Sequence, residues 1–170
     1  MADMRILAIC GSLQEKSSNL TLLRQAMTSA PPSVEVELYE GLRGLPHFDP
    51  DLLRDAAEGE PRAVAELRSA VSRADALLIA MPEYGHSLPG SLKNAIDWLI
   101  GTGELESKLV AITSAVAVVE RGRLGLAALR ATLGAVRARI VFQEPIARGP
   151  NFESQIAGVV TLLMAAVQGE

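Results

Sequence analysis

The chain has 170 residues, of which 49% are hydrophobic and 21% are charged, and these values are typical of a single water-soluble globular domain. Its formal net charge of −4 argues against a nucleic-acid partner, which would need a basic face, and no block of like charge favours a membrane surface. A single cysteine excludes an intrachain disulfide and a cysteine-rich metal cluster. We therefore expect one domain over residues 1–170, located in the cytoplasm.

Five short apolar runs alternate with five longer segments of helical periodicity. The predicted strands span residues 5–10, 34–39, 76–81, 109–113 and 139–142. The predicted helices span residues 19–29, 61–73, 91–100, 124–133 and 154–168. Three of the strands are continuously hydrophobic, as expected of parallel strands that helices cover on both faces. The alternation predicts a doubly wound parallel sheet, with residues 41–60 as one long irregular connection.

The first predicted strand ends in a loop of small polar residues, residues 11–19, which leads into a helix. A phosphate at such a helix start meets unpaired backbone N–H groups and the positive end of the helix dipole. Ser12 and Ser17 offer hydroxyl groups, and Asn19 can cap the helix and donate its amide. The alternative is an ordinary strand-to-helix turn, since this loop lacks both the glycines of a dinucleotide fingerprint and the Gly-Lys-Ser/Thr ending of a triphosphate loop.

The third predicted strand ends in a second loop, residues 82–90, which contains Pro82, Tyr84 and two glycines. The tyrosine offers a flat face, and backbone groups of residues 83–85 could meet the edge of a planar heterocycle. The alternative is an exposed turn followed by a solvated helix face, and we favour that interpretation for Lys93, Asn94 and Asp97.

The histidines and the cysteine do not indicate a metal site or a catalytic nucleophile. The two histidines, His47 and His86, lack metal-ligand spacing, and Cys10 at the end of a buried strand is predicted to be a small core residue.

Ligands of open α/β sheets bind at the carboxyl ends of the strands. The two loops together therefore predict one site, for a ligand with a phosphate at one end and a flat group at the other.

Both loops resemble the signatures of the NADPH-dependent FMN reductase family, which includes quinone, azo-dye and metal-ion reductases. Its first signature reads Gly-Ser-x-Arg-x-x-Ser-x-Asn, and residues 11–19 read GSLQEKSSN. Its second reads Pro-Glu-Tyr-Asn-x-Ser-x-Pro-Gly-x-Leu-Lys-Asn-Ala-Ile-Asp-Trp, and residues 82–98 read PEYGHSLPGSLKNAIDW. The resemblance implies a flavodoxin-like fold, with a five-stranded parallel sheet in the order 2-1-3-4-5 and helices on both faces.

The resemblance also implies where FMN would bind. Side chains of the first loop would hold the phosphate, the second loop would line the ring mostly through its backbone, and the end of the fourth strand would approach the ring from the other side. The implied cofactor-binding residues are Ser12, Gln14, Ser17, Asn19, Leu20, Pro82, Glu83, Tyr84, Gly85 and Ser114. No catalytic side chain and no metal ligand is implied, because the cofactor itself carries the hydride chemistry.

Three departures from the family pattern bear on this expectation. The family's phosphate-binding arginine is Gln14, its asparagine after Tyr84 is Gly85, and the usual glycine-rich turn after the fourth strand is absent after Ser114. Loss of the arginine removes a charge-assisted contact, but backbone donors and the helix dipole remain. We expect FMN binding to survive, with some loss of flavin on purification.

The function expected from the resemblance is hydride transfer from NAD(P)H through FMN to a quinone-like, flavin, azo or metal-ion acceptor. Such enzymes are usually homodimers or homotetramers. Two alternatives stay open at this point: a flavodoxin-type electron carrier, and a flavin-free regulatory domain of the same fold. The sequence does not distinguish NADPH from NADH, and it does not identify the acceptor.

Overall fold

Five parallel strands form the central sheet in the computed structural model, which describes residues 3–54 and 59–169. The strands in chain order are β1 (Met4–Cys10), β2 (Val34–Tyr39), β3 (Ala76–Ala80), β4 (Leu109–Thr113), β5 (Ala115–Val116), β6 (Arg139–Gln143) and β7 (Ile146–Ala147). The sheet has the order β2-β1-β3-β4-β6, which confirms the predicted order because β6 is the fifth predicted strand. The short strands β5 and β7 pair with each other beyond the ends of β4 and β6, and sequence reasoning did not predict them.

Six α-helices lie within the described residues, and the last of them follows the final strand. They are α1 (Ser18–Ser29), α2 (Asp51–Arg54), α3 (Arg62–Arg73), α4 (Gly90–Trp98), α5 (Arg123–Ala135) and α6 (Phe152–Gln168). The predicted irregular connection 41–60 contains a 3-10 turn at Gly41–Gly44 and the short helix α2, and its residues 55–58 lie outside the described residues. No helix in the described ranges is both long enough and apolar enough to span a bilayer.

The alternation of side chains along β1 divides the core into two layers. Leu7 and Ile9 face the layer built with α3, α4 and α5, whereas Ile6 and Ala8 face the layer built with α1 and α6. Successive residues of a strand point to opposite faces, so a strand with apolar residues throughout buries both of its sides. This double burial fixes the sheet in the middle of the molecule and leaves its carboxyl edge for the loops.

Candidate functional site

Buried polar side chains collect at the carboxyl edge of the sheet. The polar residues that the described part of the chain buries most completely are Ser12, Ser17, Asn19, Thr113 and Ser114. Ser12, Thr113 and Ser114 lie at or just beyond the ends of β1 and β4, the two strands that flank β3, and Ser17 and Asn19 lie at the start of α1. Burying a polar group is unfavourable unless it finds a hydrogen-bond partner, so this concentration marks a polar site at the edge of an otherwise apolar core.

The first and second loops begin in direct contact. The Gly11 N–H donates to the Ala80 carbonyl over 2.9 Å, which continues the pairing of β1 with β3. A Cβ atom on Gly11 would lie only 2.6 Å from the Cβ of Met81, so glycine is required at this position. The tips of the first and third strands therefore lie side by side, as the sequence predicted.

Ser17, and not Asn19, caps helix α1. The backbone of Ser17 is extended, and its Oγ accepts a hydrogen bond of 3.2 Å from the N–H of Asn19. Asn19 already lies within the helix, where its Oδ1 accepts from the N–H of Ala115 over 2.8 Å. The asparagine thus joins the first loop to the segment that follows β4, which brings Ser114 to the same edge.

The middle of the first loop is exposed. Residues 13–16 are open to solvent, and the Gln14 N–H donates to the Oγ of Ser12 over 3.2 Å. Helix α1 has no acidic residue in its first turn, so no carboxylate offsets the positive end of its dipole. The loop therefore suits an anion at its mouth.

A tight hairpin turn forms the tip of the second loop. Tyr84 and Ser87 exchange two backbone hydrogen bonds of 3.0 Å, and Gly85 and His86 between them have φ angles of 57° and 60°. Two consecutive left-handed residues define a type I′ turn, in which glycine and asparagine are the preferred first residues. Gly85 therefore keeps the backbone geometry that the family's asparagine would adopt. The turn leaves the Tyr84 side chain 57% exposed.

Glu83 fastens the second loop to the start of helix α5. Its Oε2 accepts a hydrogen bond of 2.8 Å from the N–H of Gly125, in the first turn of a helix whose own N-cap, Gly122, provides no side chain. A Cβ on Gly125 would lie 3.1 Å from the side chain of Glu83, so the small residue permits this approach. The carboxylate thus has a structural partner, and a ligand would meet backbone groups of the loop other than those paired between Tyr84 and Ser87.

Helix α4 holds the connection that follows β2. Lys93 and Asp97 form an exposed ion pair over 2.6 Å, which agrees with a solvated face. Asn94 departs from that interpretation, because its Oδ1 accepts from the Phe48 N–H and its Nδ2 donates to the Pro46 carbonyl, both over 2.8 Å. Trp98 is fully buried and donates to the same carbonyl.

A cavity of about 610 Å³ lies between the first loop and the end of β2. Three of the predicted site residues line it: Ser12, Gln14 and Leu20. The other seven do not line it, namely Ser17, Asn19, the four predicted residues of the second loop and Ser114. The cavity is also lined by two cations that sequence reasoning missed, Arg24 and Arg43. Arg43 contacts the carbonyl of Leu13, which lies 30 residues away in the chain.

Cys10 lies at the floor of this cavity and is 8% exposed. Burial raises the pKa of its thiol above the ordinary value, although hydrogen bonds from Ser12 and Ser17 and the charge of Arg24 act in the opposite direction. The thiol is therefore held in its protonated form, which agrees with the expected role of a small core residue.

The donor set at this edge consists of hydroxyl, amide and backbone groups. Within residues 3–54 and 59–169 no group of three or more histidine, cysteine, aspartate or glutamate side chains is placed to hold a metal ion. Neutral donors at a helix start bind phosphate-like groups, and an exposed aromatic ring beside a rigid turn suits a flat ligand.

Comparisons with known proteins agree with this geometry. The sequence model of a family described as NADPH-dependent FMN reductase matches residues 4–149. The chain is 43% identical to an NAD(P)H-dependent FMN reductase of Pseudomonas aeruginosa and 38% identical to a quinone reductase of Escherichia coli strain K12, in each case over 56% of this chain and 50% of the relative. The chain thus spans about half the length of these curated relatives.

A solved structure matches nearly the whole chain. FerB, a flavoenzyme NAD(P)H:(acceptor) oxidoreductase from Paracoccus denitrificans, superposes with a TM-score of 0.82 at 26% identity, over 98% of both chains. The sheet and its carboxyl edge are therefore shared with a flavin-binding protein.

Proposed function

Because the chain belongs to the NADPH-dependent FMN reductase family, we propose that it is an FMN-dependent NAD(P)H oxidoreductase acting on a small-molecule acceptor. The observation that carries this proposal is the collection of buried polar residues around the ends of β1 and β4, beside the rigid turn of the second loop. Bound FMN would supply the hydride chemistry between NAD(P)H and the acceptor.

The residues at this edge fit the phosphate of FMN. Ser12, Ser17 and Asn19 are buried at the start of a helix without acidic residues in its first turn, and a dianion is stabilised there. Gln14 and Leu20 would extend this contact on the side of the cavity.

The second loop fits the flavin ring. Its backbone is fixed by the Tyr84–Ser87 turn and by the bond from Glu83 to α5, so its amide and carbonyl groups are preorganised. Pro82, Glu83, Tyr84 and Gly85 would line one side of the ring, and Ser114 the other. The protein's contribution is to orient the ring and to control access to it.

The acceptor we propose is a quinone-like molecule, with flavin, azo compounds and metal ions as other candidates of the family. The name of the Escherichia coli relative supports a quinone. Neither a flavodoxin-type electron carrier nor a flavin-free domain is favoured, because the matched proteins carry reductase names.

We also propose a domain organisation, an assembly and a location for the protein. Residues 1–170 would form a single flavodoxin-like FMN-binding domain that assembles as a homodimer or homotetramer in the cytoplasm. Exposed apolar side chains near the site support self-association, namely Tyr84, Val118, Val119 and Leu124.

The decisive experiment is anaerobic reduction. The purified protein is saturated with FMN, and its absorbance is followed after NADPH or NADH is added. We expect the oxidised flavin band to bleach and to return when a quinone is added. A band that persists with both nucleotides would exclude the proposed activity, and a stable one-electron intermediate would favour the carrier.

A matched pair of serine variants tests the binding site. Ser12→Ala removes a buried hydroxyl of the first loop, whereas Ser154→Ala removes an exposed hydroxyl on α6. We expect the first variant to weaken FMN binding about fivefold, the worth of one hydrogen bond, and the second to leave the affinity unchanged. Equal affinities for both variants would remove Ser12 from the site.

A further inference from the structure

The loop that would hold the phosphate carries almost no net charge of its own. Its charged residues, Glu15 and Lys16, cancel each other, and both are exposed. A dianionic phosphate is bound most strongly by cationic donors, so the positive charge must come from outside residues 11–19.

Arg43, in the 3-10 turn after β2, is the cation that touches this loop. Its Nη2 donates to the carbonyl of Leu13 over 2.5 Å, thirty residues away in the chain. One N–H of the guanidinium is used in this contact, and an arginine has five. The other donors remain available for an anion at the loop.

This contact also orients the backbone of the loop. The peptide bond between Leu13 and Gln14 is trans, so its carbonyl and its N–H point in opposite directions. Arg43 holds the carbonyl, and the Gln14 N–H therefore points in the opposite direction, where it meets the Oγ of Ser12. The Gln14 N–H is thus paired with the buried Ser12 hydroxyl, which holds that hydroxyl in place within the loop.

Arg43 is not neutralised by an ion pair within the described residues, so its charge can act on a bound anion. Lys16 and Arg24 are the other cations of the cavity, and Glu15 and Glu40 are its carboxylates. Ion pairs in the described part of the chain involve none of these five residues. The cavity keeps one net positive charge beside the loop.

We propose that Arg43 is a positioning residue of the phosphate site: it fixes the Leu13–Gln14 peptide with its N–H turned into the first loop, and it places on that loop the positive charge that the loop lacks. This inference rests on the proposed function, since the anion concerned is the phosphate of FMN. It assigns the charged contact with the phosphate to the turn after β2, because Gln14 in the first loop offers only a neutral amide.

The test compares FMN with riboflavin, which has the same ring but no phosphate. Dissociation constants of both flavins are measured by quenching of flavin fluorescence for the wild type, Arg43→Gln, Arg43→Lys and Arg24→Gln. Arg24 lines the same cavity and has the same charge, but it makes no hydrogen bond to the loop, so its variant is the matched control.

We expect Arg43→Gln to weaken FMN binding about three- to tenfold and to change riboflavin binding less than about twofold. Arg43→Lys should recover part of the loss, and Arg24→Gln, which removes the same charge without touching the loop, should lose clearly less than Arg43→Gln. Added KCl should weaken FMN binding of the wild type more steeply than that of Arg43→Gln, because screening acts on the charge that the variant lacks.

Three results would overturn the inference alone: unchanged FMN affinity in Arg43→Gln, equal losses for FMN and riboflavin, or an equal loss in Arg24→Gln. A wild-type protein that binds neither flavin would instead overturn the proposed function, and this inference with it. Melting temperatures without flavin show whether any variant has lost its fold.

Discussion

The two loops at the carboxyl edge of the sheet are held in different ways. The second loop is fixed at its tip by the Tyr84–Ser87 turn and at its base by the bond from Glu83 to Gly125. The first loop is fixed at its ends, by Gly11 and by the Ser17 cap, while its middle is exposed and held from outside by Arg43.

This difference matches the chemistry of the two ends of the ligand that we propose. A flat ring is recognised by shape and by the edges of a backbone that does not move, so rigidity serves it. A phosphate is recognised by charge and by several N–H groups, which distant residues can supply. In the proposed site, the ring end would be formed in advance and the phosphate end would depend on contacts across the chain.

The largest effect is expected where the two loops touch. Gly11→Ala would place a methyl group 2.6 Å from the Cβ of Met81, and we expect the free energy of unfolding to fall by about 1–3 kcal/mol. Gly90→Ala is the control, because a Cβ there meets nothing within 4 Å at the start of α4, and it should stabilise the protein by about 0.5–1 kcal/mol. Urea unfolding of both variants measures the difference, and equal midpoints would show that the loops are not packed as described.

An intermediate effect is expected at the base of the second loop. Glu83→Ala removes the acceptor for the Gly125 N–H, and we expect a loss of about 1 kcal/mol, the usual worth of a helix cap. Glu83→Gln keeps an acceptor oxygen and should recover most of this loss. Hydrogen exchange of the Gly125 amide reports the contact directly, and protection that survives in Glu83→Ala would contradict the assignment.

The smallest effect is expected at the tip of the second loop. Gly85→Asn should change the free energy of unfolding by less than about 0.5 kcal/mol, because asparagine tolerates the left-handed backbone and a Cβ there meets nothing within 4 Å. Gly85→Val should cost about 1–2 kcal/mol at the same φ of 57°. Thermal unfolding distinguishes the two, and an asparagine as harmful as valine would exclude the type I′ turn.

The fold was predictable because its signals are local. Short apolar or alternating runs predicted the five sheet strands, with β2 and β4 at their observed bounds, and helical periodicity predicted five of the six described helices. The ends were less accurate: α4 ends at Trp98, where Leu99 caps it, two residues before the predicted end. The short pair of β5 and β7 has too few residues to produce a pattern.

The hydrogen bonds that hold the loops of the site could not be predicted, because they join residues far apart in the sequence. Arg43 and Leu13 are 30 residues apart, Glu83 and Gly125 are 42, and Asn94 and Phe48 are 46. The composition of the segments around Arg43, Glu83 and Asn94 indicates only that these side chains are polar, and it does not indicate their partners. Periodicity indicates which face of a helix is buried, but it does not indicate which distant backbone group a polar side chain will meet.

The position of Cys10 bears on the quinone-like acceptor that we propose. Quinones are electrophiles that arylate thiolates, and the chain contains a single cysteine. That sulfur lies beneath the first loop, 8% exposed and protonated because burial raises its pKa. The one thiol of these 170 residues is therefore a poor nucleophile towards an electrophile of that class.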